Sequence, residues 1–220
     1  ELQQEKTLMK KIKLILLGGG GHCNSVIESI EHSGKFIISG ILEPPPLKAE
    51  FINNYPVIGT DDEIPDLVAK GFSFHVTVVH IKNPAPRRKL FELLKKHMAP
   101  IATVIDASAV VSENAVVGEG TVVLRQAFVN SGASIGNNCI INTGSIIEHD
   151  ARIGNFVHVS TGAIVNGDCV IGDNCFIGSG AILSNNITIC ADVLIGAGSV
   201  VLKSVSEPGI YHGNPARLLK

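Results

Sequence analysis

Two histidines in the second half of the chain stand where chemistry is possible. His149 lies in Ile147-Glu148-His149-Asp150, between carboxylates, and His158 lies in Phe156-Val157-His158-Val159. A carboxylate beside an imidazole fixes its tautomer and supports the imidazolium formed when it takes a proton, which suits a general base. The alternative is a solvated histidine that meets acids by accident; spacing leaves both open. A second feature is Gly18-Gly19-Gly20-Gly21, directly after the apolar run Lys11–Leu17. Gly18 and Gly20 fit the first two glycines of a Gly-x-Gly-x-x-Gly dinucleotide fingerprint, but Cys23 holds the third position. Glu43 ends the next apolar run, where a ribose-binding acid belongs. The glycines either make a tight turn and nothing more, or expose helix N-terminal amides to a phosphate. A nucleotide-linked substrate fits them better than a redox dinucleotide.

The composition restricts the elements that can position these groups. Of 220 residues, 45% are hydrophobic, 5% aromatic and 17% charged, with 23 glycines and no tryptophan. Mean hydropathy is +0.31. Disorder needs the opposite balance, and a heptad coiled coil would need far more Ala, Glu, Lys and Leu. The net charge of −2 gives no basic field for nucleic acid. Residues 1–100 carry 13 basic and 11 acidic side chains and residues 101–220 carry 5 and 9, which marks a boundary near residue 100. No apolar run reaches the roughly 18 residues of a membrane span. Five cysteines (Cys23, Cys139, Cys169, Cys175 and Cys190) show no CxxC pair, so reduced thiols and a cytoplasmic location are expected.

From Ile105 to Val201, every sixth residue is Ile, Val or Leu, seventeen positions in succession. Four residues after each stands a mostly small one: Ala109, Ala115, Thr121, Ala127, Ala133, Cys139. Glycine often follows the aliphatic position directly, as in Val117-Gly118 and Ile135-Gly136. Six residues make one short strand and one turn, and three such units make an 18-residue coil. The second half is therefore expected to be a hexapeptide parallel β-helix, with glycine and asparagine at corners that need positive φ. Cys139, Cys169 and Cys175 fall on the small inward position and read as core fillers. Residues 1–100 alternate strand and helix: strands at 11–17, 36–42 and 74–81, and helices after Gly21, at 61–70 and at 86–97. That is an α/β, Rossmann-like unit. The expected divisions are an upstream extension at 1–8 with the start at Met9, a Rossmann-like nucleotide-sugar-binding domain at 9–100, a β-helix at 101–206, and a tail at 207–220. His32, His75, His80 and His97 have no partner pattern and read as structural or solvated.

The stretch INTGSIIEHDARIGNFVHVSTGAIVNGDCVIGDNCFIGSGAIL, the closing YHGNPARLLK and the opening LILLGGGGHCNSVIESI resemble one branch of the hexapeptide acyltransferases. That branch comprises sialic-acid O-acetyltransferases and UDP-4-amino-sugar N-acetyltransferases. The resemblance implies a left-handed coil and a cytoplasmic homotrimer with sites between adjacent β-helices. It implies transfer from acetyl-CoA, without a metal, to the amine of a UDP-linked 4-amino-4,6-dideoxy sugar. By the same resemblance His149 is the general base, Asp150 orients it, and Asn142 lies near the acceptor. His158 and the Gly167 amide lie near the acetyl group, Gly196 and Ala197 pass the pantetheine arm, and Arg217 meets the CoA phosphates. Gly20, Gly21, His22 and Glu43 are where UDP is expected. Glu43-Pro44 replaces an Asp pair common in relatives, and His80-Ile81-Lys82-Asn83 replaces a Gly-Asn turn before Arg87 and Arg88. The alternatives are O-acetylation of a sialic or related nonulosonic acid, a carbonic anhydrase-like metal site, and a non-catalytic β-helix. The metal site would need a third histidine beside the two at 149 and 158.

Overall fold

The computed structural model describes residues 11–47 and 49–219; the expected extension at 1–8 and the start at Met9 lie outside them. Ile12–Leu17 (β1) is a buried parallel strand between Phe36–Leu42 (β2) and Ser73–Val76 (β5). Gly21–Ser33 (α1) follows β1 and ends at Gly34 in the left-handed region. Phe51–Ile52 (β3) and Tyr55–Gly59 (β4) form a hairpin that extends the sheet beyond β2. No strand is expected here from the sequence pattern. The hairpin's signal is Asn53-Asn54, two residues at φ 46 and 68, the geometry of a two-residue hairpin turn that asparagine tolerates. A short 3-10 turn at Asp61–Glu63 leads into Ile64–Ala69 (α2), and Ala85–Lys96 (α3) completes the unit.

The third strand is shorter than expected: β5 stops at Val76 rather than Ile81. Its single strand partner is β1, whose last paired residue is Leu17, opposite Val76. The Thr77 amide makes the last bond, to the Leu17 carbonyl at 2.9 Å; beyond it Gly18 turns away at φ 102, so residues 78–84 have no ladder to join. On the other side, Phe74 bridges Ile101, and the chain enters the first coil at Val104.

All seventeen aliphatic positions lie in seventeen short strands, each pairing in parallel with the strand 18 residues away. The strands form three faces of a parallel β-helix. Inward, Val123, Val129, Ile135, Ile141 and their successors stack with Ala127, Ala133, Cys139, Ala151 and Cys175 into one core. Each fully buried aliphatic side chain is worth about 1.5–3 kcal/mol. All five cysteines are free thiols, and burial pushes those of Cys139 and Cys175 up to about 12. Among the described residues no helix is long and apolar enough to cross a membrane.

Glycine and asparagine hold most corners of positive φ, as expected, with aspartate, glutamine and phenylalanine at the rest. Positive φ falls three residues after the aliphatic position, at every sixth residue from Gly120 to Asp192 and on to Gly198. The glycines that follow the aliphatic position directly, such as Gly118 and Gly136, are not among these. They are small because the coils touch there: a Cβ on Gly136 would lie 2.6 Å from the Gly154 carbonyl oxygen.

The first unit packs on the β-helix face whose outward column is Val104, Val122, Ile140, His158 and Phe176. Leu14, Leu16, Val26, Ile27 and Ile30 close over Val104, Val122 and Ile140. Asp106, only 1% exposed, ties α1 to the first coil. It accepts from the Ser108 amide and hydroxyl at 2.8 and 2.7 Å and from His32 Nδ1 at 2.9 Å. Burial alone would raise its pKa, but these bonds outweigh it and bring it down to about 2. Glu28 on α1 pairs with Arg125 at 3.1 Å. His32 is thus structural, one of the two readings the sequence allowed.

Gly136→Ala is expected to cost ~1–3 kcal/mol by overpacking two backbones. Gly144 has a φ of 63 and open space for a Cβ, so Gly144→Ala tests backbone strain alone. Chemical denaturation of both variants should show the larger loss for Gly136→Ala.

Candidate active site

His149 and Asp150 occupy the corner after the strand Ile146–Ile147. Asp150 has the left-handed φ of 60 that this corner repeats, and aspartate tolerates it. That conformation brings Asp150 Oδ2 within 3.0 Å of His149 Nδ1. The Asp150 amide donates to Ser131 one coil below, and the Asp168 amide donates to the His149 carbonyl from one coil above. Glu148 is used differently: it accepts from Asn130 Nδ2 at 2.7 Å and from the His149 amide at 3.3 Å. The Asp150 bond and the surrounding carboxylates Asp168 and Glu148 raise the His149 pKa above 6.5.

The 18-residue register sets what lies on either side of the pair. Asp150 packs over Gly132, and a Cβ on Gly167 would come within 2.5 Å of His149 Nε2. At the equivalent positions 131 and 143 the turn amide is capped by the preceding Asn side chain. Asn166 instead donates to the Leu183 carbonyl at 2.6 Å, which leaves the Gly167 amide uncapped beside the imidazole. The structure therefore brings His149, Asp150 and Gly167 together. Asp168 stands close enough for one ligand atom of each of His149, Asp150 and Asp168 to lie within 4.8 Å of the others. The neighbours of His149 at this corner are carboxylates rather than further histidines.

His158 and Asn142 form a separate pair on the face covered by the first unit. His158 Nδ1 lies 2.8 Å from the His80 carbonyl and so carries the proton, and Nε2 accepts from Asn142 Nδ2 at 3.2 Å. His158 is 3% exposed and packs edge-on against Phe176. Burial lowers its pKa to about 4. Within one chain, His158 is thus a buried domain contact rather than a group open to an acetyl moiety.

Gly196, Ala197 and Arg217 gather at the C-terminal end. The Gly196 amide donates to Tyr211 at 2.7 Å, in the strand Gly209–Gly213, where His212 pairs with Arg217. Arg217, Lys203, Ser204 and Tyr211 line a cavity of about 260 Å³. Lys203 lies on the same corner column as His149 and Gly167, at steps of 18 residues, and that spacing is its one signal in the sequence.

In the first unit, the glycine turn, His22, Glu43, Pro44 and Thr77–Val79 line a cleft of about 240 Å³. Glu43 accepts from the Gly19 amide, while Gly20 and Gly21 have open space above them at the start of α1. His22 forms one wall, and burial followed by the Arg87 charge lowers its pKa to about 3. His75 and His80 are structural rather than solvated: they are 0% and 4% exposed and lie in the same junction. Burial lowers both to about 3. Arg88 is half-exposed beside Glu92 and Asn174; it is Arg87 that the fold buries.

Two family profiles match this chain: the PglD N-terminal domain over residues 13–94, and the bacterial transferase hexapeptide (six repeats) over residues 168–203. The acetyltransferase domain of PglB from Neisseria gonorrhoeae, solved in complex with acetyl coenzyme A, is 31% identical with a TM-score of 0.87, over 96% of this chain and 100% of that one. PerB from Caulobacter crescentus, solved with CoA and GDP-perosamine, is 31% identical with a TM-score of 0.87, over 94% of this chain and 97% of that one. WeeI from Acinetobacter baumannii is 26% identical with a TM-score of 0.84, over 96% and 100%. No curated protein sequence matches. An N-terminal α/β unit, a left-handed hexapeptide β-helix and 31% identity along nearly the whole of both chains place this protein in the hexapeptide-repeat sugar acetyltransferase family.

Proposed function

We propose that this protein transfers the acetyl group of acetyl-CoA to the amine of a nucleotide-linked amino sugar, a UDP-linked 4-amino-4,6-dideoxy sugar being the expected acceptor. The observation that carries the reading is the His149–Asp150 pair held against the uncapped Gly167 amide. The neutral amine attacks the thioester carbonyl while His149 Nε2 takes one of its protons. The Gly167 N–H stabilises the oxyanion, a contribution often worth ~3 kcal/mol. The C–S bond then breaks, the CoA sulfur receives the proton from His149, and the amide and free CoA leave. In PerB the bound sugar nucleotide carries GDP, so both bases belong in a test.

CoA has a path along the His149 corner. From His149 through Gly167 to Lys203 is three coil steps, about 14 Å at ~4.8 Å per step. This suits a pantetheine arm whose phosphates meet Lys203 and Arg217. Gly196 and Ala197 lie at the same end of the β-helix. The cleft at Gly20, Gly21, His22 and Glu43 would take the nucleotide, with Asn142 on the acceptor side.

A homotrimer accounts for the exposure of the pair. The side chains of His149 and Asp150 are 53% and 60% exposed, too open for a base that must work away from water. They border a face whose outward column is Val110, Phe128, Ile146, Ile164, Ile182 and Val200. Val110 is 58% exposed and Ile182 38%, and a neighbouring copy against this face would bury the column and complete the site.

CoA release with UDP- and GDP-linked amino sugars, set against free nonulosonic acids, tests the reaction. Turnover confined to free sialic acid would overturn it. His149→Ala should lower kcat by ~10²–10⁴-fold. Because its pKa is raised, His149 accepts a proton only above the ordinary histidine range, so kcat/KM should rise with pH through a midpoint above 6.5. Asp150→Asn should move that midpoint down. Gly167→Ala should lower kcat ~10²-fold with little change in Tm, since the new methyl displaces a half-exposed ring rather than backbone. Light scattering should give three times the 23.2 kDa chain mass for the wild type and a smaller species for Ile146→Glu.

A further inference from the structure

Arg87 is fully buried, and among the described residues it has no carboxylate partner. It sits in the first turn of α3, whose start is fixed by Asn83 Oδ1 capping the Ala85 amide at 3.0 Å and by Pro86. Its guanidinium reaches three backbone carbonyls in different directions. Nη1 donates to Val76 at 2.7 Å and to Val78 at 2.8 Å, and Nε donates to Asn138 at 3.0 Å. Asn138 Nδ2 returns a bond to the Arg87 carbonyl at 3.4 Å. Val76 ends β5, Val78 lines the cleft, and Asn138 is a buried corner of the β-helix, four residues before Asn142 along the chain.

The same cleft wall is tied to the glycine turn. Thr77 donates its hydroxyl to the Leu17 carbonyl at 2.8 Å and also to that of Gly18. The Val78 methyl fills the space where a Gly18 side chain would stand. Residues 78 and 79 lie beyond the last backbone bond of the ladder, Thr77 to Leu17, so the Thr77 and Arg87 bonds hold them in place. Burying a cation without a carboxylate is costly; the three carbonyl dipoles face it here, and among the described residues Nη2 is left without a partner. His22, His75, His80 and His158 surround it as neutral rings, each lowered by burial and by the Arg87 charge. A planar fork matches three divergent carbonyls, and an ammonium does not.

We propose that Arg87 is the positioning residue that fixes the 76–79 wall of the nucleotide cleft onto the β-helix coil carrying Asn142. This rests on the cleft being the nucleotide site. Nucleotide binding, rather than CoA binding, should then depend on the guanidinium, because the CoA corner makes no contact with it. Calorimetric titration of UDP, GDP and CoA into wild-type and Arg87→Lys protein tests this. For whichever nucleotide the wild type binds, Arg87→Lys should raise Kd at least tenfold while Kd for CoA stays within twofold. A nucleotide Kd within twofold of wild type, or equal weakening of nucleotide and CoA, would overturn the proposal alone. If Arg87→Lys does not fold, hydrogen exchange on the wild type decides. Nucleotide should slow exchange in residues 76–80 and 137–142 together, and slowing confined to residues 18–22 and 43 would overturn it. Binding of neither UDP nor GDP by the wild type would overturn the reading of the cleft as well.

Discussion

A residue in the β-helix meets the residue eighteen positions later one coil above it, and the parallel pairing of all three faces enforces that register. The core follows from it, because the aliphatic and small positions each form a continuous inward column. The candidate active site follows from it too. Asp150 rests on Gly132 and His149 rests against Gly167 because these pairs are one coil apart. A histidine and an aspartate adjacent in sequence would drift independently on a surface loop. Here the backbone of their corner is bonded to Ser131 below and Asp168 above, so the two side chains share one rigid mount.

The register also distributes work among the three faces. One outward column is covered by the first unit through Val104, Val122 and Ile140. A second is an apolar ladder left open from Val110 to Val200. The third carries Ser134, Arg152 and Thr188 among its outward residues, and water is its natural neighbour. The two units meet through apolar contact in the first coils and through polar contact at His80, Arg87, Asn138 and His158. Apolar contact supplies adhesion without direction. The polar bonds supply direction, because a carbonyl receives a guanidinium over a narrow range of angles.

Much of this was legible in the chain. The six-residue period identified the β-helix and each of its strands, since a stacked coil repeats its environment and the sequence repeats with it. His149 and Asp150 stood out because a corner position seldom needs both a base and an acid. The glycines after the aliphatic positions were visible, but their cause was not. Close approach between coils and positive φ both select glycine, and a single sequence does not separate them. The β3–β4 hairpin carried its signal in Asn53-Asn54, yet the two residues of β3 are too few to show an alternation. The end of β5 was illegible because it depends on where its partner β1 turns away.

By itself the sequence determined the α/β unit, the three-faced coil, its core and the place of His149 at a corner, since each is a local or strictly periodic consequence of side-chain size and polarity. Tertiary structure decided that Arg87 rather than Arg88 is buried and that His158 serves the domain junction. Those outcomes depend on which surfaces meet across long separations in the chain. An arginine or a histidine is the same letter whether it ends in water or against three carbonyls, and only the packed neighbours distinguish the two.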